Sequence, residues 1–300
     1  MNDISAFEPA TPAIVVGRSF DGSPPPLGLG EPFALLGGDR LGPDGVAFRV
    51  MHDHQPGLLR WIRQSCHASL VAERPWFKGS PLLLPGRNGA GRTHAARRLA
   101  AAAGVPHVII NLSDPVIAAN IAASRRVNEA LWALPTTIAM AATRCANPVA
   151  TVIGADQASG DVTAGLLSMI DPDLGRSWSE DQLRTHVDFS EVTWIVQCDD
   201  VAGLPADLRN SATPVVLERT QPRIESVFTL SIMLEAMSDL GIDPADPLYS
   251  WVRIRGKLGQ HHAGGCARVY ADMVNTLMAL QQMPIGEENR RPKNHENFPF

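Results

Sequence analysis

Short apolar runs alternate with longer amphipathic stretches along the middle of the chain. Five short runs are predicted strands, at residues 81–84, 107–110, 149–153, 193–196 and 214–217. Apolar residues at helical spacing predict helices between them, most clearly at 95–103, 136–144 and 162–170, and a further helix at 58–72. Buried strands that alternate with helices are typical of a parallel sheet covered on both faces. We therefore expect an α/β fold with a five-stranded parallel sheet.

The two ends of the chain differ from this middle part. Residues 1–55 are rich in Gly, Pro and acidic side chains, which predicts an extended or loop-rich N-terminal arm ahead of an α/β domain at 56–221. Residues 222–283 contain three helical patterns and no strand-like run, so a small helical lid domain is predicted there. The polar, Pro-containing tail at 284–300 is expected to be poorly ordered.

Composition narrows the class of protein. The chain has 300 residues, of which 45% are hydrophobic and 19% charged, and its net charge is −5. An acidic balance argues against a general nucleic-acid binder. No apolar run approaches the roughly 18 residues of a membrane-spanning helix, and no signal peptide is visible. Four cysteines lie far apart without a CxxC pair and are predicted to be buried thiols. These features favour a soluble, cytoplasmic protein without nucleic-acid or membrane partners.

A glycine-rich segment carries the candidate chemistry. Gly86-Arg87-Asn88-Gly89-Ala90-Gly91-Arg92-Thr93 follows the first predicted strand of the sheet and opens a predicted helix. It matches the phosphate-loop pattern G-x-x-x-x-G-K-[S/T] at Gly86, Gly91 and Thr93. Such glycines let backbone N–H groups face phosphate oxygens, and the helix N-terminus adds partial positive charge. We expect Gly86 and residues 88–93 to bind ATP or ADP, with the Thr93 hydroxyl as a ligand of its Mg²⁺.

Arg92 departs from the phosphate-loop pattern, which has Lys at this position. Arginine keeps the positive charge, but its planar guanidinium cannot act as a compact ammonium between two phosphates. The alternative that the segment is a glycine-rich turn without a ligand therefore stays open.

Further segments follow the loop in a characteristic order. They are Cys145-Ala146-Asn147-Pro148, Val152-Ile153-Gly154-Ala155-Asp156-Gln157-Ala158-Ser159, Val187-Asp188-Phe189-Ser190-Glu191-Val192 and Gln197-Cys198-Asp199-Asp200 with Leu204-Pro205 downstream. Together with the loop they resemble AAA+ ATPases, and within these the ATPase module of Lon-type proteins, over residues 75–283. The resemblance implies a P-loop sheet with a C-terminal helical lid, bound ATP or ADP with Mg²⁺, and a homo- or hetero-oligomer. It also implies a protein partner or an AAA+ paralogue.

The same resemblance shows where catalytic residues are missing. The family ends its third core strand with an Asp that holds Mg²⁺ through water and a Glu that polarises the attacking water, whereas this chain has Ile153 and Gly154. Asp156 matches a later acid of the family, Asp199 replaces an Asn that positions water, and Arg209 lies near the place of the arginine finger. These three residues are the candidates for a displaced catalytic set. The sequence predicts an AAA+ fold whose hydrolytic site has decayed.

Three functions remain open from the sequence. The first is a nucleotide-binding module that hydrolyses ATP slowly or not at all and acts as a scaffold or regulatory subunit. The second is a working ATPase that uses the displaced residues and remodels a protein partner, and the third is an interaction protein that binds no nucleotide. Proteolysis is not expected, because the chain ends about 20 residues after the predicted lid, where Lon-type proteins continue into a protease domain. His52-Asp53-His54 and His261-His262 lack metal-site spacing and are predicted to be surface residues.

Overall fold

The computed structural model describes residues 11–50, 55–87, 89–122, 133–217, 225–250, 254 and 266–282. The chain divides into two compact units, Met1–Gln221 and Pro222–Phe300. The predicted tail at 284–300 and the two histidine clusters lie outside the described residues. The domain limits predicted at residues 55, 221 and 283 stay predictions.

The elements of the two units are numbered along the chain. The strands are β1 (Ala13–Val15), β2 (Gly17–Ser19), β3 (Pro32–Ala34), β4 (Leu82–Pro85), β5 (His107–Asn111), β6 (Val149–Ile153), β7 (Trp178–Glu180), β8 (Thr185–Val187), β9 (Thr193–Cys198) and β10 (Thr213–Pro214). The helices are α1 (Val46–Val50), α2 (Pro56–Val71), α3 (Arg92–Ala103), α4 (Pro115–Ile121), α5 (Pro135–Thr143), α6 (Gly160–Ile170), α7 (Ala206–Ser211), α8 (Glu225–Asp239) and α9 (Cys266–Gln281).

A five-stranded parallel sheet forms the centre of the first unit, in the order β10-β4-β9-β6-β5. Every residue of β4 and β9 is buried, as expected for strands with helices on both faces. The predicted α/β sheet is therefore confirmed. The strand that leads into the glycine-rich loop, β4, lies between β10 and β9, as predicted.

Alternate residues of the strands enter two separate cores, because successive side chains of a strand point to opposite faces. Leu83, Val152 and Trp194 belong to the core that also contains Leu166 of α6. Leu82, Leu84, Val149 and Ile195 belong to the other core, with apolar side chains of α2 and α3. This three-layer arrangement fixes the carboxyl ends of β4, β6 and β9 side by side, where the candidate site lies.

The described part of the predicted N-terminal arm is packed on the sheet domain. Leu29 and Phe33 are fully buried in its core. The side-chain amide of Asn147 forms hydrogen bonds to the backbone of this segment. Its Oδ1 accepts the N–H of Leu36 at 2.8 Å, and its Nδ2 donates to the carbonyls of Leu36 and Phe77 at 2.9 and 2.8 Å. Residues 11–50 are thus part of the first unit and do not extend away from it.

Two small antiparallel sheets accompany the main one and were not expected from the sequence. β1 pairs with β3, and β2 pairs with β8, which also pairs with β7. Each of these strands has only three residues, too few for an alternating pattern to stand out.

The last strand of the main sheet begins earlier than predicted. β10 covers Thr213–Pro214 instead of 214–217. The N–H groups of Thr213 and Val215 donate to the carbonyls of Pro81 and Leu83, at 2.9 and 2.8 Å, so hydrogen bonding to the β4 segment continues for one residue beyond the strand.

The second unit contains helices around its own core, as the predicted lid requires. Helices α8 and α9 contribute buried side chains such as Ile232, Met237, Met273 and Leu277. The second of the three helical patterns predicted for 222–283 covers residues 247–258, and its described residues show a 3₁₀ turn at Pro247–Tyr249 and a buried Ile254.

Two further expectations concern membranes and thiols. Over the described ranges, no helix is both long enough and apolar enough to cross a membrane. Cys66, Cys145 and Cys198 are buried free thiols, as predicted.

Candidate functional site

The glycine-rich loop lies between β4 and the N-terminus of α3, where the sequence places it. Gly89 and Gly91 have φ angles of 85° and 82°, a left-handed conformation that strongly favours glycine. A Cβ atom at Gly89 would meet no other atom within 4 Å, so the loop leaves open space at this glycine. Asn88 lies outside the described residues. These two glycines thus hold left-handed backbone conformations directly before α3, which fits a loop that faces phosphates.

The start of α3 has the features of an anion site. Its N-cap residue is Gly91, which offers no side-chain acceptor to the first N–H groups of the helix, and its first turn contains no acidic residue. The first N–H groups of a helix have no intrahelical partner, and the helix dipole favours a negative charge beside them. The chemistry of this turn therefore fits the phosphates of a nucleotide.

The Arg92 side chain turns toward the end of β9. Its Nη1 donates to the carbonyl oxygen of Cys198, and its Nη2 lies 3.1 Å from Oδ1 of Asp199. The guanidinium side chain is only 8% exposed, whereas that of Asp199 is 53% exposed. The residue that replaces the phosphate-loop lysine is thus ion-paired within the protein itself.

Thr93 contacts a glutamine that the sequence analysis did not select as a site residue. Nε2 of Gln197 donates to Oγ1 of Thr93 at 3.2 Å, and Gln197 is itself buried in β9. Two signals could have identified it: its position near the carboxyl end of a parallel strand beside β4, and its place in the segment Gln197-Cys198-Asp199-Asp200. The Thr93 hydroxyl lies at the helix start, where it fits the role of a ligand to nucleotide-bound Mg²⁺.

No carboxylate occupies the last position of β6 or the residue that follows it. β6 ends at Ile153, and Gly154 follows with a φ of 83°. A 3₁₀ turn at Ala155–Gln157 then carries Asp156. At the position where Lon-type ATPases have their catalytic Glu, this chain therefore leaves the sheet in a turn that requires glycine.

Two of the three displaced candidates meet at this edge of the sheet. Oδ2 of Asp156 accepts the backbone N–H of Asp199 at 3.2 Å. Burial raises the pKa of the neighbouring Cys198 thiol to about 11, and the Asp156 carboxylate adds to this shift. Cys198 is therefore a neutral thiol near pH 7 and not a nucleophile.

Arg209 does not join Asp156 and Asp199. It is an exposed residue in the last turn of α7. Within the described ranges, no hydrogen bond or ion pair connects it to either carboxylate. Whether the three residues act together stays a prediction.

Comparison with known proteins bears on the resemblance. The chain is 31% identical to Lon protease of Methanosarcina barkeri over 166 residues, 53% of this chain and 20% of that protein. It is 30% identical to Lon protease of Frankia alni over 182 residues, 58% of this chain and 20% of that protein. The resemblance to Lon-type proteins is confirmed. The chain spans about a fifth of the length of these curated relatives.

Two other comparisons complete these findings. A point mutant of Thermotoga maritima RuvB is similar with a TM-score of 0.40 at 14% identity, covering 76% of this chain and 70% of that one. No family model matches the chain. Similarity to Lon-type proteins thus rests on the sequence matches, which cover about half of this chain.

Proposed function

We propose that this chain is a nucleotide-binding AAA+-type protein that hydrolyses ATP slowly or not at all and acts as a scaffold or regulatory subunit. The observation that carries the proposal is the left-handed backbone of Gly89 and Gly91 directly before α3, together with the lack of both hydrolytic acids at the end of β6. A cytoplasmic location, expected from the sequence, belongs to the same proposal.

Binding rests on the loop and on the first turn of α3. The backbone N–H groups of residues 89–93 would hold the phosphates, and the Thr93 hydroxyl would ligate Mg²⁺. Bound Mg²⁺ would neutralise phosphate charge. Gly89 and Gly91 allow the backbone to adopt this conformation without strain.

Hydrolysis is disfavoured by the residues after β6. Ile153 and Gly154 can neither accept a proton nor bind a cation through water. Loss of a general base costs about 10²- to 10⁴-fold in rate, and loss of an arginine finger about 10³- to 10⁵-fold. Asp156 already accepts a backbone hydrogen bond, and Asp199 already pairs with Arg92. Together these features leave little catalytic capacity in the chain.

The alternative is a working ATPase that uses Asp156 and Asp199. The contact between these two residues at the edge next to the loop is the observation that favours it. Under this alternative, Asp156→Asn abolishes phosphate release from Mg-ATP. Under the proposed function, wild type and Asp156→Asn both remain at the background rate.

The binding experiment compares thermal unfolding with Mg-ATP, Mg-ATP-γ-S and no nucleotide, in the wild type and in Gly91→Val. The valine strains the loop and crowds the phosphates, so we expect stabilisation by nucleotide in the wild type only. Gly22→Val is a matched control, because Gly22 has a φ of 79° against 82° for Gly91 and a Cβ there meets no other atom within 4 Å. An equal nucleotide response in all three proteins would exclude the loop as the binding site.

The scaffold role predicts an assembly with an active ATPase. A subunit without its own hydrolytic acids has a use where a homologous, intact AAA+ protein contributes them. Co-purification with the AAA+ protein encoded nearest to this chain, followed by sedimentation analysis, tests this role. A wild-type chain that stays monomeric with and without that protein and Mg-ATP would contradict it.

A further inference from the structure

The ion pair between Arg92 and Asp199 has a consequence for the affinity of the candidate nucleotide site. Arg92 begins α3 directly after the loop, yet its guanidinium contacts the Cys198 carbonyl and the Asp199 carboxylate. Carboxylates and phosphates both accept hydrogen bonds from the parallel N–H donors along the edges of a guanidinium. A phosphate that approaches Arg92 thus meets a group that is already paired with a competing anion.

The surroundings hold Asp199 in this position. Its backbone N–H donates to Asp156 Oδ2 at 3.2 Å, which ties the residue to the 3₁₀ turn after β6. Gly86 N–H donates to the Cys198 carbonyl at 3.0 Å, so the first glycine of the loop shares an acceptor with Arg92. The end of β9, the loop and the first residue of α3 therefore form one hydrogen-bonded unit.

We propose that Asp199 acts as an internal competitor of phosphate for Arg92, so that nucleotide binding requires exchange of this carboxylate for a phosphate group. The inference rests on the proposed nucleotide site and concerns its regulation. Asp199 is about half exposed, so its carboxylate can leave the guanidinium for water at low cost, whereas Arg92 is buried and needs a replacement anion. A phosphate supplies that anion.

Removal of the competitor should tighten binding. Exposed ion pairs typically change an equilibrium by less than about fivefold, and burial of one partner strengthens the effect. We expect Asp199→Asn to lower the Kd for Mg-ATP roughly tenfold, which corresponds to about 1.4 kcal/mol.

Isothermal titration calorimetry with Mg-ATP measures this effect in the full chain. The matched control is Asp200→Asn, since Asp200 is the adjacent exposed acid and an Asn there can still accept the Ala202 N–H. The control should change the Kd by less than about twofold, because exposed charges are screened at physiological salt. Asp199→Ser repeats the test with a second neutral side chain, should the Asn variant fold poorly.

A double variant shows whether Asp199 acts through Arg92. In an Arg92→Gln background, Asp199→Asn should no longer tighten binding, because no guanidinium remains for which the anions compete. A tenfold gain in that background, or equal Kd values for Asp199→Asn and Asp200→Asn, would overturn the inference.

The failure of this inference is distinguishable from the failure of the proposed function. If Gly91→Val abolishes binding but Asp199→Asn does not tighten it, only the competition is excluded. If neither the wild type nor Asp199→Asn binds Mg-ATP, both proposals are overturned.

Discussion

Glu180→Gln is expected to remove a pH-dependent loss of stability from the first unit. Glu180 ends β7 and is only 3% exposed. Its Oε1 accepts the N–H of Leu134 at 3.1 Å, and its Oε2 accepts the hydroxyl of Thr137 at 2.9 Å, at the start of α5. Burial raises the pKa of this carboxyl from its ordinary value of 4.5 to about 7, because these hydrogen bonds only partly offset desolvation.

The sign of the effect follows from the raised pKa. Between pH 4.5 and about 7 the folded chain keeps a proton that the unfolded chain releases, so the free energy of unfolding falls as the pH rises through this window. The shift corresponds to roughly 3 kcal/mol, all of it present below pH 4.5 and lost above pH 7. A glutamine has no proton to lose and keeps a carbonyl oxygen for the Leu134 N–H.

Urea unfolding at pH 4.5 and pH 8 measures the prediction. The free energy of unfolding of Glu180→Gln minus that of the wild type should be roughly 3 kcal/mol higher at pH 8 than at pH 4.5. Asp173→Asn, at an exposed carboxylate, is the control and should show no such change. If the difference between Glu180→Gln and wild type is the same at both pH values, the reasoning about Glu180 is refuted.

Three other experiments test the packing, the N-terminal contacts and the turn after β6. Leu99→Ala should lower the free energy of unfolding by about 2–5 kcal/mol, because Leu99 is fully buried, whereas the 56% exposed Leu70→Ala should change it by less than about 0.5 kcal/mol. Asn147→Ala removes three hydrogen bonds to backbone groups and should cost roughly 3 kcal/mol in urea unfolding; a loss no larger than that of Leu70→Ala would contradict the role of Asn147. The double variant Ile153→Asp with Gly154→Glu should have a lower melting temperature, because a Glu at φ 83° costs about 1–2 kcal/mol. It should release phosphate only in the presence of a partner that supplies an arginine. Phosphate release by the isolated double variant would contradict this expectation.

The three central strands of the main sheet, β4, β6 and β9, could be predicted from the sequence because they are nearly continuous apolar runs. Each of β4, β6 and β9 is buried along its whole length or nearly so, and no alternating pattern is needed to recognise it. The antiparallel pairs were missed for the opposite reason. In β2, for example, Gly17-Arg18-Ser19 has no apolar side chain, and its pairing with β8 depends on backbone hydrogen bonds between segments far apart in the chain.

The glycine-rich loop of the candidate site could be located from the sequence, but Gln197 and the contacts among the site residues could not. The glycine spacing identified the loop, and the resemblance showed that Ile153 and Gly154 stand where the family has its two acidic residues. The direction of the Arg92 side chain could not be read from the pattern, because it depends on where β9 places Asp199. The role of Asn147 was also missed, since a single polar residue gives no sign of the three backbone groups that it satisfies.

The rate of phosphate release from Mg-ATP distinguishes a nucleotide-binding protein from an ATPase. It is measured after calorimetry has shown that the protein in the sample is saturated with nucleotide. We predict bound nucleotide in the wild type and a release rate equal to that of Gly91→Val. A wild-type rate above that background, abolished by Asp156→Asn, would contradict the claim that the hydrolytic site is inactive. It would identify an ATPase that uses the displaced acidic residues.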